Sequence, residues 1–476
     1  MKRKLFLIAG LAGLLTLSGC TKFLEEKSQS DVIPKTATDF RELLIGSGYM
    51  TNSEPMNYLY FMDDDVDFFL EYANDPSNVV GTYDAQQNYL WYTWQPKLAD
   101  INGLGILISE DPSVTTYAQY YTKILGCNAV LDNIDKSIGT QQEKDRVKAE
   151  ALAVRAMYYF RLANLYGEPY NVNPKSLCVP LKLSSSIVAE PMVQATVGDV
   201  YDQVVHDLQE AASLMDPLQI VRKDFHINQP AIHILLSRVF LYMERWKESV
   251  AEANKVFEQG GKLLDMTTLD TKYGNWLNYN NVEVEWVFGG NTQPNQSTYT
   301  PSATFLSTYD ATNDARYRVG FSLLTNSGVQ LVSKLPTGAD LAQALRSSEA
   351  LLNRAEASVQ LDDLGGALKD LNDLRRKRID GYANEVIGDK ATLLQAIRDE
   401  RRKEFAYEGF RWFDLRRYGM PEISHRYQHD LGESVLQYKL TKNDPMYVLP
   451  FPTSVLLKNP GLKQSASGQM PDRIGQ

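Results

Sequence analysis

Glu400, Glu404 and Glu408 stand four residues apart, interleaved with Arg401, Arg411, Asp414 and Arg416. On a helix that spacing puts the three carboxylates on one face. Hydrolysis of a glycosidic bond needs two carboxyls about 5–5.5 Å or 6.5–9.5 Å apart, and the spacing permits it. The arginines at matching positions favour another reading: charge-assisted pairs that lock the last long helix to its scaffold. The aromatic runs offer a different chemistry. Asn88, Tyr89, Trp91, Tyr92 and Trp94, with Gln95, form one cluster, and Trp276, Tyr279, Asn280 and Asn281 form another. A flat ring covers the C–H face of a sugar, while amides and carboxylates bond its hydroxyl rim. Burying such a face contributes on the order of 25 cal/mol per Å² of apolar area. A tryptophan is also readily packed inward, so each ring stands open between core and ligand. Alternation along 89–94 is imperfect, so these rings cannot all face one way.

Metal chemistry has weaker support. Asp63, Asp64, Asp65 and Asp67 crowd between Phe61 and Phe68. Hard oxygens suit calcium, which makes Asp63, Asp65 and Asp67 weak calcium candidates, but carboxylates alone do not define a cage. Asp310, Thr312, Asn313 and Asp314 are a weaker second group. His425 and His429 would suit zinc on one helix face, yet no Glu follows the first His, and Pro421 and Gly432 bracket the segment. No cofactor is expected. Gly-x-Ser-x-Gly elbows, phosphate-cradling loops and dinucleotide fingerprints are all absent from the sequence, and no catalytic residue is assigned.

The N-terminus reads as an address. Lys2, Arg3 and Lys4 precede the apolar run Leu5–Leu17, which is too short to span a bilayer, and Leu17-Ser18-Gly19-Cys20 follows. Residues 1–19 are expected to be a signal peptide, with Cys20 the lipidated residue. Several acyl chains, at about 0.8 kcal/mol per buried CH₂, hold a protein to a membrane almost permanently. Removing three basic residues takes the net charge from −10 to −13. That excess of negative charge disfavours nucleic acid as a partner. Only Cys127 and Cys178 remain after Cys20, which is no disulfide framework; the sequence leaves open whether they pair.

Helical periodicity recurs over residues 115–136, 142–166, 198–215, 229–243, 246–258, 345–361, 364–378 and 390–408. Residues 51–112 and 262–330 are aromatic, polar and irregular, and loops on a rigid scaffold tend to carry binding. A weak internal repeat links Ala156, Ser237 and Ala355. Ser249 lies twelve residues after Ser237, and Ala367 twelve after Ala355. Small residues at this spacing mark the close contacts of tetratricopeptide-type helix pairs.

Five segments together resemble the SusD/RagB family. They are Cys20 with Phe23-Leu24; Tyr121, Ile124, Asn128, Leu131 and Ile134; Glu150-Ala151, Arg155-Ala156 and Tyr159-Phe160 closing at Leu165-Tyr166-Gly167; Arg354-Ala355-Glu356-Ala357 with Ala367, Leu371-Asn372 and Leu374-Arg375; and the most specific run, from Ile397 through Glu400-Arg401, Glu404-Phe405, Glu408-Gly409, Arg411-Trp412 and Asp414-Leu415 to Arg417-Tyr418-Gly419. Leu449-Pro450-Phe451-Pro452 and Asn459-Pro460-Gly461-Leu462 with Gln464 extend it into the tail. The resemblance implies a mainly α fold with four tetratricopeptide-like helix pairs and long irregular ligand loops. It implies a lipidated flexible tether over 20–38 and one α-helical domain over 39–476, with loop-rich insertions at about 51–112 and 262–330. It further implies an outer-membrane lipoprotein that captures a nutrient, a glycan before a peptide, for a SusC-like TonB-dependent transporter. Such a protein binds and does not hydrolyse; a lipid-anchored glycoside hydrolase is the less favoured reading. The family pattern is lost at 60–100 and 270–320, where ligand loops would lie. The acidic residues after Cys20 begin only at Glu25, which leaves the side of the membrane open.

Overall fold

The computed structural model describes residues 33–50, 58–68, 79–110, 115–269, 277–289, 298–324, 329–334, 343–429 and 432–476. The signal segment, Cys20, most of the tether and Trp276 lie outside these residues.

Threonine and asparagine set the helix starts. Thr36 caps α1 (Ala37–Leu43), Thr140 caps α4 (Gln141–Tyr166) and Thr196 caps α5 (Val197–Met215). Each accepts a bond from the third helical N–H, and an acidic residue there bonds back to the cap, so two orphan donors are satisfied at once. Asn228 caps α6 (Gln229–Tyr242), with Pro230 in its first turn where no N–H is needed. The remaining long helices are α2 (Val79–Gln87), α3 (Thr116–Leu131), α7 (Trp246–Glu258), α8 (Ser347–Gln360), α9 (Leu364–Arg376), α10 (Lys390–Glu404) and the short α11 (Arg411–Arg417). From α3 to α9 each helix packs on the next in chain order, and α10 closes against α8 and α9. The middle of α4 is buried all round because α3 and α5 both pack on it. No helix of the described residues is long and apolar enough to cross a membrane.

The internal repeat is visible in the backbone. The α6–α7 turn places Glu244 at φ 58°, and the α8–α9 turn, 118 residues on, places Asp362 at φ 65°. The cap residues that follow, Arg245 and Asp363, share φ near −85° and ψ near 70°. The small residues face each other as expected. Ser237 and Ser249 are fully buried with their hydroxyls 3.4 Å apart, and Ala355 and Ala367 are fully buried in the second core.

Among the described residues, four two-stranded antiparallel ribbons decorate this stack: β1 (Val66–Phe68) with β3 (Tyr299–Pro301), β2 (Val284–Phe288) with β6 (Gln343–Arg346), β4 (Phe321–Leu324) with β5 (Val329–Val332), and β7 (Ile423–Tyr427) with β8 (Leu436–Leu440). Cys127 and Cys178 are free, and burial pushes both thiols up to about 12.

The Glu-Arg run is a buried ion network. Helix α10 ends at Glu404, four residues earlier than its periodicity suggests. Tyr407 and Gly409 then take left-handed conformations, and Glu408 returns to the network from a turn instead of from the helix face. Glu404 pairs with Arg346 at 2.7 Å and Arg378 at 2.8 Å, and Glu408 pairs with Lys334 at 2.7 Å and Arg346 at 2.9 Å. Glu400 pairs with Arg316 at 2.6 Å and Arg375 at 2.7 Å. Beyond it, Asp414 holds Arg401 and Arg417, and Arg417 also holds Glu356. Arg416 is fully buried with no carboxylate partner among the described residues and donates to the carbonyls of Asn164 and Gly167, capping the C-terminus of α4. Gly167 is needed there, since a Cβ would meet Val197 Cγ2 at 2.5 Å where α5 starts.

Two outcomes follow. Ala355→Leu forces a bulky side chain between α8 and α9 and lowers unfolding free energy by about 1–3 kcal/mol in denaturant titration. Glu404→Gln strands buried guanidinium groups and costs about 3–5 kcal/mol. Burial alone would raise Glu404, but Arg378 and Arg346 outweigh it and hold the carboxyl well below its usual range. A depressed carboxylate contributes stability above its unfolded value, about 4.3, and loses it as pH falls below that. The wild type therefore loses stability on acidification below about pH 4.5, and the slope of that acid limb flattens in Glu404→Gln.

Candidate ligand-binding face

The first aromatic cluster is not one surface. Residues 89–92 form a helical turn, and Trp94 follows in a left-handed conformation at φ 53°. That conformation drives Trp94 inward. Its indole is fully buried, donates to the Met62 carbonyl at 2.9 Å and stacks on His425 at 4.3 Å. Tyr92, also fully buried, stacks on the other face of His425 at 4.2 Å. Trp94 and Tyr92 are thus core residues: neither has surface left to offer a ligand. Trp91 is half-buried and stacks on Tyr58 at 4.0 Å, lining a small cavity with Tyr166 and Pro450. Asn88 bonds back to the Asp84 carbonyl at 3.0 Å.

Tyr89 alone of that set joins a partly open aromatic face. Its ring lies 5.0 Å from Tyr427, 5.5 Å from His429 and 6.0 Å from Tyr438, and its hydroxyl is 3.3 Å from that of Tyr438. Helix α2 forms the adjoining part. The Ala85 carbonyl accepts from the hydroxyls of Tyr299 at 2.9 Å and Tyr427 at 3.2 Å, which fixes α2 over β3 and β7. Tyr83 is thereby turned outward, 51% exposed. The Asp84 carboxylate, half-buried beside it, has no hydrogen-bond or ion-pair partner among the described residues, and burial raises its pKa. The Tyr60 hydroxyl lies close enough to feel that carboxylate. Burial first, and Asp84 second, push it up, so it stays a protonated donor. Tyr60, Tyr83, Asp84, Tyr89 and His429 therefore combine aromatic surface with a carboxyl and a hydroxyl that bond no other group among the described residues. Sequence reasoning missed Tyr60, Tyr83 and Asp84, and read His429 only as a possible zinc partner of His425. No periodic signal marks Val79–Gln87, because its apolar residues do not gather on one helix face.

The second cluster is tied into local packing. Tyr279 donates to the Asp224 carbonyl and accepts from the Val287 N–H at 3.2 Å, within an apolar group around Leu277 and Val287. Asn281 is buried and accepts from the Glu283 N–H at 2.9 Å in its own turn.

The acidic cluster has partners as well. Asp64 takes Arg411 through two bonds of 2.6 and 2.7 Å, and Asp65 takes Arg402 at 2.6 Å. Asp67 holds Arg426 at 2.8 Å and the Phe68 N–H at 2.9 Å. Ligand atoms of Asp63, Asp64 and Asp65 do lie within 4.8 Å of one another. Burial and its two acidic neighbours raise Asp63, whereas the bond from Arg411 overcomes burial and lowers Asp64. A divalent ion would have to displace two guanidinium groups here, so the calcium expectation gives way to a structural role: joining β1 to α10 and α11. Asp310 bonds the N–H groups of Thr312 and Asn313 in its own loop, and Asp314 pairs with Arg316. His425 and His429 lie on and after a strand, with His425 enclosed by rings, so they do not form a zinc pair.

Comparison with known proteins agrees with this architecture. A model described as "SusD family" matches residues 263–468, and one described as "Starch-binding associating with outer membrane" matches residues 22–241. The SusD-like protein P25 of Formosa agariphila is 23% identical over 197 residues, 39% of this chain and 35% of that protein; the match thus spans about a third of the relative's length. A SusD-like carbohydrate binding protein from Bacteroides vulgatus superposes with TM-score 0.68 at 22% identity, covering 90% of this chain and 97% of that one. A SusD superfamily protein from Bacteroides thetaiotaomicron gives 0.69 at 24%, covering 90% and 99%. These likenesses fix the fold as the mainly helical SusD-like one, and the family models associate it with the outer membrane. With the two models matching residues 22–241 and 263–468, the chain belongs to the SusD/RagB family.

Proposed function

We propose that this chain is a cell-surface lipoprotein, anchored through Cys20, that captures an oligosaccharide on the face formed by Tyr60, Tyr83, Asp84, Tyr89 and His429. It passes the ligand to a partner TonB-dependent outer-membrane transporter. The observation that carries the reading is the exposed ring of Tyr83 beside the Asp84 carboxyl and the Tyr60 phenol, for which no other hydrogen-bond or ion-pair partner is found among the described residues. An aromatic ring and an unpaired carboxyl are what a sugar's C–H face and hydroxyl rim require, since unpaired polar groups bond a ligand without first breaking an internal bond. The carbohydrate-binding relative supports a glycan as the ligand class. Trp91 stays a secondary candidate through its half-exposed edge, and Trp276 remains a candidate on sequence grounds alone.

Titration against an array of oligosaccharides and peptides tests this. Tyr83→Ala and Asp84→Asn are each expected to weaken the best glycan at least about tenfold, or about 1.4 kcal/mol, with unchanged thermal stability. Trp94→Ala is expected to cost about 3–5 kcal/mol of stability while leaving the affinity of the folded fraction unaltered. Unchanged affinity in both Tyr83→Ala and Asp84→Asn would sink the site; binding only to peptides would replace the ligand class.

A further inference from the structure

His233 is fully buried on α6, and both of its ring nitrogens face carboxylates. Nδ1 lies 2.6 Å from Glu252 of α7, and Nε2 lies 3.0 Å from Asp216, the residue that ends α5. The small pair makes that reach possible. Ser237 and Ser249 let α6 and α7 approach closely. His233 stands one turn before Ser237 and Glu252 three residues after Ser249, so on antiparallel helices the carboxylate comes down beside the ring.

A neutral imidazole carries one N–H, and an ionised carboxylate only accepts. With one proton, the second ring nitrogen would point its lone pair at a carboxylate oxygen within hydrogen-bond distance. With two, both contacts are charge-assisted bonds. Burial alone would lower the pKa of His233, but its bonds to Asp216 and Glu252 outweigh burial and raise it. Burial alone would raise the two acids, yet the bonds from His233 outweigh it and hold both below their ordinary values. Lys255 completes the group: its ammonium lies 3.0 Å from Glu252, and its charge also acts on Asp216. Two cations therefore face two carboxylates. Other charges on the elements packed against α6 are closed in pairs of their own: Arg155 of α4 with Asp207 of α5, Glu349 of α8 with Arg238, Glu285 of β2 with Arg222, and Arg346 of β6 with Glu283 and Glu404. The related hairpin shows that helix packing does not require this arrangement. Leu351, as far before Ala355 as His233 is before Ser237, is buried and apolar.

We propose that His233 is a proton-locked clamp: as an imidazolium it ties α5, α6 and α7 together through neutral pH, and it releases that seam when it loses a proton in alkaline solution. Deprotonation leaves Lys255 alone against two carboxylates and turns one attractive contact of the ring into a repulsive one, out of reach of water. The clamp is independent of the ligand reading, since none of its members lies on the face around Tyr83.

The test uses the full chain, labelled at histidine. Nitrogen NMR is expected to show one ring with both nitrogens protonated at about pH 7, above the ordinary histidine value of about 6.5. That signal is expected to move in Glu252→Gln, which identifies it as His233. A raised base contributes its full stabilisation below its unfolded value and loses it as pH rises through the folded one. In denaturant titration, the folded-to-unfolded ratio of the wild type relative to His233→Leu is expected to be level below about pH 6.5, then to fall about tenfold per pH unit until the ring has lost its proton. Leu is the residue that the related hairpin carries at this position. If His233→Leu does not fold, Glu252→Gln replaces it, and the relative ratio is expected to fall over the narrower range between the proton losses of the two rings. A His233 ring with a single N–H at about pH 7 overturns the clamp, as does a relative ratio that stays level from about pH 6.5 to about pH 9.

Discussion

Arg346 stands where the irregular half of the molecule meets the helical stack. It closes β6 and caps α8, and its guanidinium reaches Glu283 before β2, Glu404 at the end of α10 and Glu408 in the turn beyond. Arg378, just past α9, bonds the same Glu283 and Glu404. With Arg316, Lys334 and Arg375 set against Glu283, Asp314, Glu400, Glu404 and Glu408, five cations face five carboxylates, all buried. The balance matters more than any single pair. A buried charge without its partner costs several kcal/mol, so these segments cannot dock one at a time without leaving a charge exposed to apolar surroundings. The network therefore makes the strand ribbons and the helix pairs one cooperative unit and fixes their register.

A second tier of ion pairs carries that rigidity outward to the aromatic face around Tyr83. Arg402 on α10 and Arg411 on α11 hold Asp65 and Asp64 at the start of β1. Strand β1 pairs with β3, and Tyr299 on β3 bonds the Ala85 carbonyl of α2. The path from the buried network to Tyr83 and Asp84 thus runs through ion pairs, one short ribbon and one tyrosine hydroxyl. The His425 ring, held between Tyr92 and Trp94, fills the space beneath it. Support of this kind holds a binding surface in place before the ligand arrives, which lowers the ordering cost of binding.

What the sequence shows and hides follows from this hierarchy. The helix hairpins were legible because burial between two helices imposes both a period and a small-residue spacing: Ser237 and Ala355 mark the same position, and Glu244 and Asp362 turn the chain the same way. The Glu-Arg run was legible as ion pairs because arginines sit at matching positions. It was misread at Glu408, since nothing local announces the left-handed Tyr407 that ends the helix. The aromatic cluster was the least legible part. Whether Trp94 points in or out depends on one positive φ and on a histidine more than three hundred residues away, and neither leaves a periodic trace. The aspartates at 63–67 read as a cation site because their arginine partners are equally distant in sequence.

The same electrostatics separate this protein from a hydrolase built on similar residues. A glycosidase needs one carboxyl held protonated near neutral pH, in a space open to the sugar. Glu400 and Glu404 have the opposite properties: they are fully buried, and their arginine partners depress them far below the usual carboxylate range. A proton added to either would break several ion pairs at once, so neither can serve as an acid without loosening the fold. The carboxyl that is raised by burial and left unpaired, Asp84, lies among tyrosine rings at the surface. Among the described residues no second unpaired carboxylate is found beside it to share the chemistry. The acidic residues that resemble catalytic pairs are committed to stability, and Asp84 stands apart from them.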